Sequence, residues 1–238
     1  MPTSNMRQIS DVMWFVEKLK PRRTIDIGIG CGKYGFLIRE FMEVQMDGLA
    51  RFSTASTPEP DRQGVVVDGV EVFEDYLTPL HALIYNNIMI GDALEVMPGL
   101  PQETYDLAFA SDVLEHFNEE GCMRFLAECR RIATAVLVVV PNGVLEQGAY
   151  YGNEWETHRS TWLRRDLRRV GAACVIASDN FLIALFGESP LVAAVAKLAL
   201  LRWRYRAFVP EWMGRSRLAA LGRSLVCLFG RSEKKENN

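Results

Sequence analysis

Residues 24–35, TIDIGIGCGKYG, place four glycines within eight positions, directly after a short apolar run that contains an acid. An apolar strand that leads into a glycine-rich turn and a helical pattern is typical of the ligand-binding edge of an α/β sheet. Two patterns overlap in the turn. One is GxGxG, which starts at Gly28, and the other is GxGxxG, the dinucleotide fingerprint, which starts at Gly30. The turn alone therefore leaves the identity of the ligand open.

Further apolar runs come after the turn, with helical patterns between most of them. Continuous apolar strands that alternate with helices predict a doubly wound, mostly parallel sheet, covered on both faces and joined by right-handed crossovers. A hairpin pattern around residues 178–180 predicts two more strands, which makes seven with an antiparallel last strand. The other four predicted strands are VVVDGVEVF (65–73), NIMIGD (87–92), YDLAFA (105–110) and TAVLVVVPNG (134–143).

Acidic side chains stand at the carboxyl ends of the predicted strands, where open α/β sheets bind ligands. A dinucleotide site accounts for the glycines and for one acid after the second strand. S-adenosylmethionine instead presents an α-ammonium, a ribose diol and an adenine amino group, each of which needs an acceptor. Asp26, Glu71 and Asp92 meet these three needs in order. Each charge-assisted hydrogen bond contributes about 1.5–3 kcal/mol.

Four motifs, taken in order, resemble those of the class I S-adenosylmethionine-dependent methyltransferases. They are DIGIGCG (26–32), GVEVF (69–73), IGDALEV (90–96) and YDLAFASDVLEHF (105–117), the last close to a D-x-x-E-H variant found in methyltransferases of small molecules and glycans. The resemblance covers about residues 20–187 and implies a Rossmann-like methyltransferase fold with S-adenosylmethionine as cofactor. It implies these cofactor-binding residues: Asp26, Gly28, Gly30, Gly32, Glu71, Asp92, Ala93, Ser111 and Asp112.

Two histidines are the candidate catalytic residues. His116 follows the fourth strand, where the resemblance places the methyl acceptor, and imidazole suits a general base because it titrates near neutral pH. A histidine bonded to backbone at a helix start is the alternative. His158 lies in an aromatic loop, where it either contacts substrate or holds the loop. Four aromatic residues of that loop form either a lid or the packing of an ordered loop: Tyr150, Tyr151, Trp155 and Trp162.

The remaining composition narrows the class of protein. The five cysteines contain no CxxC pair, which favours reduced thiols and a cytoplasmic location. No close group of histidines, cysteines and acids has metal-ligand spacing along the chain, so the sequence predicts no metal. The start of the chain lacks the pattern of a signal peptide, and no apolar run reaches the roughly 20 uninterrupted residues of a membrane-crossing helix.

Charge divides the chain into two parts. Residues 190–238 carry ten Lys and Arg against three acids, a net charge of +7, whereas residues 1–189 sum to −10. We therefore predict a methyltransferase domain over 1–189 and a basic, apolar, helical C-terminal extension over 190–238. Residues 190–230 suit either packing in a homo-oligomer or peripheral contact with the inner membrane face. No recognition motif accompanies the charge, so we expect no nucleic-acid partner.

Together these features predict an enzyme that methylates a small-molecule or glycan acceptor at oxygen or nitrogen. Two alternatives stay open. One is a non-catalytic module that binds S-adenosylmethionine without turnover. The other is an NAD-dependent oxidoreductase, which would use the GxGxxG pattern and would tolerate the loss of Asp26.

Overall fold

The computed structural model describes residues 6–47, 64–150 and 152–208. The chain divides into two compact units, residues 1–200 and 201–238. The first unit contains the whole sheet, and the described part of the second, residues 201–208, is helical. The predicted domain boundary, between residues 189 and 190, coincides with the start of the C-terminal helix, and residues 209–238 of the predicted extension lie outside the described residues.

The described residues form one seven-stranded sheet with the order β3-β2-β1-β4-β5-β7-β6. The pairs among β1 to β5 are parallel, whereas β7 runs antiparallel to both of its neighbours. The doubly wound, mostly parallel sheet with an antiparallel last strand is thereby confirmed. The strands are β1 (Arg23–Ile27), β2 (Val66–Glu71), β3 (Asn87–Ile90), β4 (Tyr105–Ser111), β5 (Ala133–Pro141), β6 (Cys174–Ser178) and β7 (Phe181–Phe186).

Helices connect the strands and cover the sheet. The α-helices are α1 (Ile9–Leu19), α2 (Lys33–Asp47), α3 (His81–Ile84), α4 (Ala93–Val96), α5 (Glu119–Ile132), α6 (Arg164–Arg169) and α7 (Pro190–Phe208). Short 3₁₀ turns occur at Glu74–Tyr76, Met97–Gly99, Leu114–His116 and Glu154–Glu156.

The longest strand and its helix show why the sheet forms where the sequence places it. All of β5 except Thr134 is buried, because the strand lies between β4 and β7 and α5 packs on it. In α5, the Asn118 side chain accepts a hydrogen bond from Gly121 N at 2.8 Å and so caps the first turn. Helical spacing then buries one face of α5 against the sheet: Cys122, Phe125, Leu126, Cys129 and Ile132.

The C-terminal helix begins within the first unit. Its buried side chains there recur at helical spacing and pack toward the domain: Val192, Val195, Ala196 and Ala199. The predicted helical extension is confirmed as far as Phe208. Over the described ranges, the helices are too short or too polar to cross a membrane. Contact of residues 190–230 with lipid or with a second subunit stays a prediction.

Candidate functional site

A cavity of about 500 Å³ lies at the carboxyl ends of the central strands. One end, here called the turn end, is lined by residues 26–30, by Glu71 and by residues 91–93. The other, here called the loop end, is lined by residues of 115–117 and 145–159. Ser111 and Asp112 also line the cavity. The fold therefore brings eight of the nine predicted cofactor-binding residues and both predicted catalytic histidines to one cavity.

The glycine turn adopts a backbone that only glycine takes without strain. Gly28, Gly30 and Gly32 all have positive φ, at 73°, 50° and 76°. A Cβ on Gly28 would lie 2.5 Å from Val113 Cγ2. Gly32 is the predicted cofactor residue that is not among the lining residues: a Cβ there would lie 2.9 Å from Ile84 Cδ1. Gly32 thus serves the turn and its packing.

A buried histidine holds the turn from behind. The Thr78 N–H donates to His81 Nδ1 at 3.0 Å, so Nδ1 carries the lone pair and the proton sits on Nε2. That Nε2–H then donates to the carbonyl of Gly30 at 3.0 Å. No local pattern indicates this role, because His81 lies 51 positions from the glycine that it supports.

Asp26 is only 3% exposed, and the Tyr85 hydroxyl donates to its Oδ2 at 2.7 Å. Burial raises the pKa of the Asp26 carboxyl to about 7, against the hydrogen bonds from Tyr85 and the Gly35 N–H, and the nearby Glu71 charge raises it further. A cation bound beside this carboxyl would favour its ionised form. The carboxyl is therefore suited to an ammonium-bearing ligand.

Glu71 ties the end of β2 to the glycine turn. Its Oε2 accepts from Gly30 N at 2.9 Å, and its Oε1 accepts from Phe73 N at 3.0 Å. Burial raises the pKa of this carboxyl, and the backbone N–H donors oppose the shift. Each oxygen can accept a further hydrogen bond from a ligand, so the pair can bind a diol.

Asp92 and Ala93 follow β3 at the same end of the cavity. Asp92 Oδ1 accepts from Leu94 N at 2.9 Å and so caps α4. The carboxylate also lines the cavity, which leaves room for a ligand contact beside the capping bond. Local structure and ligand binding are therefore compatible at this residue.

Ser111 and Asp112 lie between the two ends of the cavity. Ser111 Oγ donates to Asp112 Oδ2 at 3.0 Å and accepts from Gln8 Nε2 at 3.4 Å. Burial raises the pKa of Asp112 to about 6, and the Lys33 ammonium partly offsets this rise. Asp112 has a φ of 58°. Residues other than glycine rarely adopt this backbone conformation, and the cases that do occur cluster at functional sites.

Both predicted catalytic histidines lie at the loop end, with their ring centroids 4.9 Å apart. His116 Nδ1 lies 3.2 Å from the carbonyl of Thr157, and His158 Nδ1 lies 2.6 Å from that of Leu145. A carbonyl can only accept, so Nδ1 of each ring donates its proton to the backbone. Burial lowers the pKa of His116 to about 4, which keeps its ring neutral.

Backbone hydrogen bonds bring these distant histidines together. The carbonyl of Glu115 accepts from Arg159 N at 2.8 Å and from Ser160 N at 3.0 Å. The Arg159 guanidinium also donates to the carbonyl of His116 at 2.8 Å. The loop around His158 is thereby fixed to the turn that carries His116. His116 bonds to backbone, as the alternative interpretation expects, and it also lines the cavity; its catalytic role stays a prediction.

One functional candidate that is not among the predicted site residues is the Glu115 carboxylate, the glutamate of the D-x-x-E-H motif. It is 2% exposed, and within the described ranges neither of its oxygens has a hydrogen-bond partner in another residue. Burial and the nearby Asp112 raise its pKa well above the usual range. One ligand atom each from Glu115, His116 and His158 lies within 4.8 Å of the other two. Spacing along the chain could not reveal this group, because its two histidines are far apart in the sequence.

The aromatic loop contributes unequally to the site. Trp155 lines the cavity and is 43% exposed, whereas Trp162 is 8% exposed and belongs to the core. Tyr150 is exposed, and Tyr151 lies outside the described residues. Trp155 is the residue of this group that could cover the cavity, so the lid stays a prediction, whereas Trp162 packs in the core.

No family model and no curated protein sequence matches this chain. Solved structures do match it. The N-terminal domain of EvdMO1 with SAH bound is 13% identical, with a TM-score of 0.50 over 78% of this chain and 82% of that chain. A Rhodobacter sphaeroides protein described as a Zn-dependent alcohol dehydrogenase is 11% identical, with a TM-score of 0.53 over 79% and 91%. An Aquifex aeolicus SAM-dependent methyltransferase is 14% identical, with a TM-score of 0.48 over 76% and 92%.

Identities this low indicate only a shared fold. The order of the strands distinguishes this sheet from the classical dinucleotide-binding sheet. The classical dinucleotide-binding sheet has the order 3-2-1-4-5-6. Here the antiparallel β7 is inserted between β5 and β6, in a sheet whose glycine turn comes directly after β1. The chain therefore has the Rossmann-like fold of the class I S-adenosylmethionine-dependent methyltransferases.

Proposed function

We propose that the protein transfers a methyl group from S-adenosylmethionine to an oxygen or nitrogen of a small-molecule or glycan acceptor. One observation carries this proposal: three carboxyls, those of Asp26, Glu71 and Asp92, line the turn end of one cavity. They belong to the ends of β1, β2 and β3 in the order that the ammonium, ribose and adenine groups require. The solved EvdMO1 domain with the same fold has SAH bound, which agrees with this assignment.

The residues present at the turn end fit the cofactor. Asp26 suits the α-ammonium, because a buried carboxyl with a raised pKa gains most from a bound cation. Glu71 suits the ribose diol, and Asp92 with Ala93 suits the adenine. Gly28 has no side chain that could obstruct the cofactor. Val113 leaves no room for a side chain at this position.

When bound, S-adenosylmethionine supplies a methyl group on a positively charged sulfur. The chain contributes the alignment of donor and acceptor in one cavity, and alignment supplies a large part of the rate in such displacements. At the loop end, Nδ1 of His116 and of His158 bonds to backbone, so Nε2 is the nitrogen of each ring that we assign to the acceptor. A proton acceptor placed there typically contributes about 10²–10⁴-fold.

The lining of the loop end supports a hydroxyl-rich acceptor. Several polar side chains and one partly exposed indole line it together: Gln147, Asn153, Trp155, Glu156 and Arg159. Sugars and similar ring compounds offer many hydroxyls and an apolar face, which this combination can bind. Oxygen is therefore the acceptor atom that we favour.

Calorimetric titration with S-adenosylmethionine, SAH and NAD tests the proposal. We expect micromolar binding of the first two and at least roughly tenfold weaker binding in Asp26→Ala and Glu71→Ala, because each loses a charge-assisted contact. Asp75→Ala is the matched control, since this exposed acid lies close to Glu71 in the chain. Binding of NAD alone would establish the oxidoreductase alternative.

A screen of hydroxylated acceptors with radiolabelled methyl donor is the second test. Release of SAH that depends on the acceptor supports the enzyme. Tight binding of the donor with no turnover on any acceptor would favour the alternative of a non-catalytic binding module.

A further inference from the structure

The loop end of the cavity contains three side chains of kinds that bind metal ions. Glu115 and His116 lie on the turn after β4, and His158 comes from the aromatic loop. One ligand atom from each lies within 4.8 Å of the other two. That separation is short enough for the three groups to contact a single ion after small side-chain movements.

Glu115 has a buried carboxyl that no hydrogen bond from another described residue compensates. Its carboxyl is 2% exposed and, among the described residues, makes no hydrogen bond to another residue. A buried carboxyl of this kind is costly unless a cation or a donor compensates it. The carboxyls of Asp112 and Glu156 line the same cavity, and their negative charge would favour a bound cation.

The two histidines are already oriented as metal ligands usually are. A metal-binding imidazole typically donates its second N–H to a backbone carbonyl or a carboxylate, which fixes the tautomer and the ring. Here the carbonyls of Thr157 and Leu145 accept from Nδ1 of His116 and His158. Nε2 is the nitrogen that remains on each ring for an ion.

We propose that Glu115, His116 and His158 bind one divalent first-row transition ion, such as Mn²⁺, Fe²⁺ or Zn²⁺. Two imidazoles with one carboxylate favour these ions over Mg²⁺ and Ca²⁺, which prefer oxygen ligands. Three protein ligands leave at least one coordination position open to the cavity.

The catalytic role of this ion rests on the proposed function. An acceptor hydroxyl bound at the open position would lose its proton more readily, because a divalent ion lowers the pKa of a bound oxygen group. The histidines then act as ligands, and the ion acidifies the acceptor. The Asp112 carboxylate, which lines the same cavity, would take that proton, while the acceptor oxygen bonds the methyl carbon and the donor leaves as SAH.

The test begins with full-length protein stripped by a chelator and titrated with Mn²⁺ and Zn²⁺. We expect one equivalent to bind, to raise the melting temperature and, for Mn²⁺, to show nitrogen couplings from two imidazoles in pulsed electron paramagnetic resonance. Glu115→Gln and His158→Gln should each weaken binding at least roughly tenfold. His158→Gln should also remove one of the two nitrogen couplings. Glu119→Gln, an exposed acid on α5, is the matched control.

If Glu115 has only a structural role, Glu115→Gln should leave ion binding unchanged. Glu115→Gln keeps the shape of the side chain, so in metal-free protein it should fold as the parent does. If Glu115→Gln does not fold, His158→Gln carries the test through the nitrogen couplings. Absence of binding at about 1 mM ion, or binding that both variants leave unchanged, overturns the proposal.

Titration of the metal-free protein with S-adenosylmethionine separates this inference from the proposed function. Donor binding without ion binding would remove the metal site and leave the methyltransferase standing. Ion binding without donor binding would support the metal site and contradict the proposed methyltransferase function.

Discussion

The two ends of the cavity are built in different ways. At the turn end, the lining residues lie at or directly after the ends of β1, β2 and β3, and the backbone of the glycine turn provides the surface. At the loop end, the surface consists of side chains from residues 115–117 and 145–159, which hydrogen bonds between loops hold together. A parallel sheet fixes the positions of residues at the ends of its strands, whereas the meeting of two loops depends on contacts between distant residues.

Substitution of Gly28 should have the largest effect, because this residue lines the turn end and packs on Val113, which also lines the cavity. Gly28→Ala places a Cβ 2.5 Å from Val113 Cγ2 at a φ of 73°. The left-handed conformation alone costs a non-glycine residue about 1–2 kcal/mol, and the close contact adds to that cost. We expect a lower melting temperature and at least a roughly 100-fold loss of S-adenosylmethionine affinity by calorimetry.

The double variant Gly28→Ala/Val113→Ala separates the two causes. Removal of the Val113 methyl groups should relieve the clash and restore part of the stability, while the strain of the positive φ remains. If Gly28→Ala alone binds the donor as tightly as the parent, the glycine turn does not form the surface that binds the cofactor.

Local sequence patterns were sufficient to predict the sheet and the positions of the acids at the turn end. The seven strands, the antiparallel β7 and the positions of Asp26, Glu71 and Asp92 could be predicted from local patterns, because each acid is placed by its own strand. The partners of these acids could not be predicted: nothing local shows that the Tyr85 hydroxyl donates to Asp26.

At the loop end, the sequence predicted the residues but not their meeting. His116 and His158 each stand out in the sequence, yet their contact depends on the carbonyl of Glu115, which accepts two backbone N–H groups of the distant loop. Glu115 is the glutamate of the D-x-x-E-H motif, but the motif does not show that its carboxyl is buried. Its significance lies in burial without a partner among the described residues, a property of the folded chain alone.

The next effect is a pH dependence confined to the turn end. Without ligand, burial holds the pKa of Asp26 at about 7, whereas an exposed carboxyl titrates near 3.8. The ammonium of the donor favours the ionised carboxyl, so binding below about pH 7 releases a proton. We expect affinity for S-adenosylmethionine to rise up to roughly tenfold per unit as pH increases from about 5.5 to 7, and then to level off. Calorimetry in buffers of different ionisation enthalpy measures the proton release.

Asp26→Asn is the control for that dependence. Its affinity should be weak and nearly constant over the same pH range. The same carboxyl also affects the free protein: because its folded pKa is raised, it lowers the free energy of unfolding as pH rises from about 4 to 7. Asp26→Asn should therefore gain stability relative to the parent as pH increases. A gain that is constant across this range would contradict the raised pKa.

The smallest effect is expected at Tyr76, which joins the two ends. Its ring packs on Phe73, just after β2, with centroids 4.8 Å apart. Its hydroxyl donates to Glu156 Oε1 at 2.9 Å and accepts from Asn153 Nδ2 at 3.0 Å. Tyr76→Phe removes both bonds and leaves the buried Asn153 amide short of a partner, at a cost of about 1–3 kcal/mol.

Amide hydrogen exchange can locate the effect of Tyr76→Phe without knowledge of the acceptor. Exchange at His158, Arg159 and Ser160 should accelerate about tenfold, since their N–H bonds hold the loop in place. Exchange at Gly28 and Gly32 should stay within about twofold. Tyr105→Phe is the matched control, because its hydroxyl donates to Asp68 Oδ2 toward the opposite edge of the sheet. Acceleration at the glycine turn equal to that in the loop would mean that the two ends open together, and that the loop end is no less firmly built than the turn end.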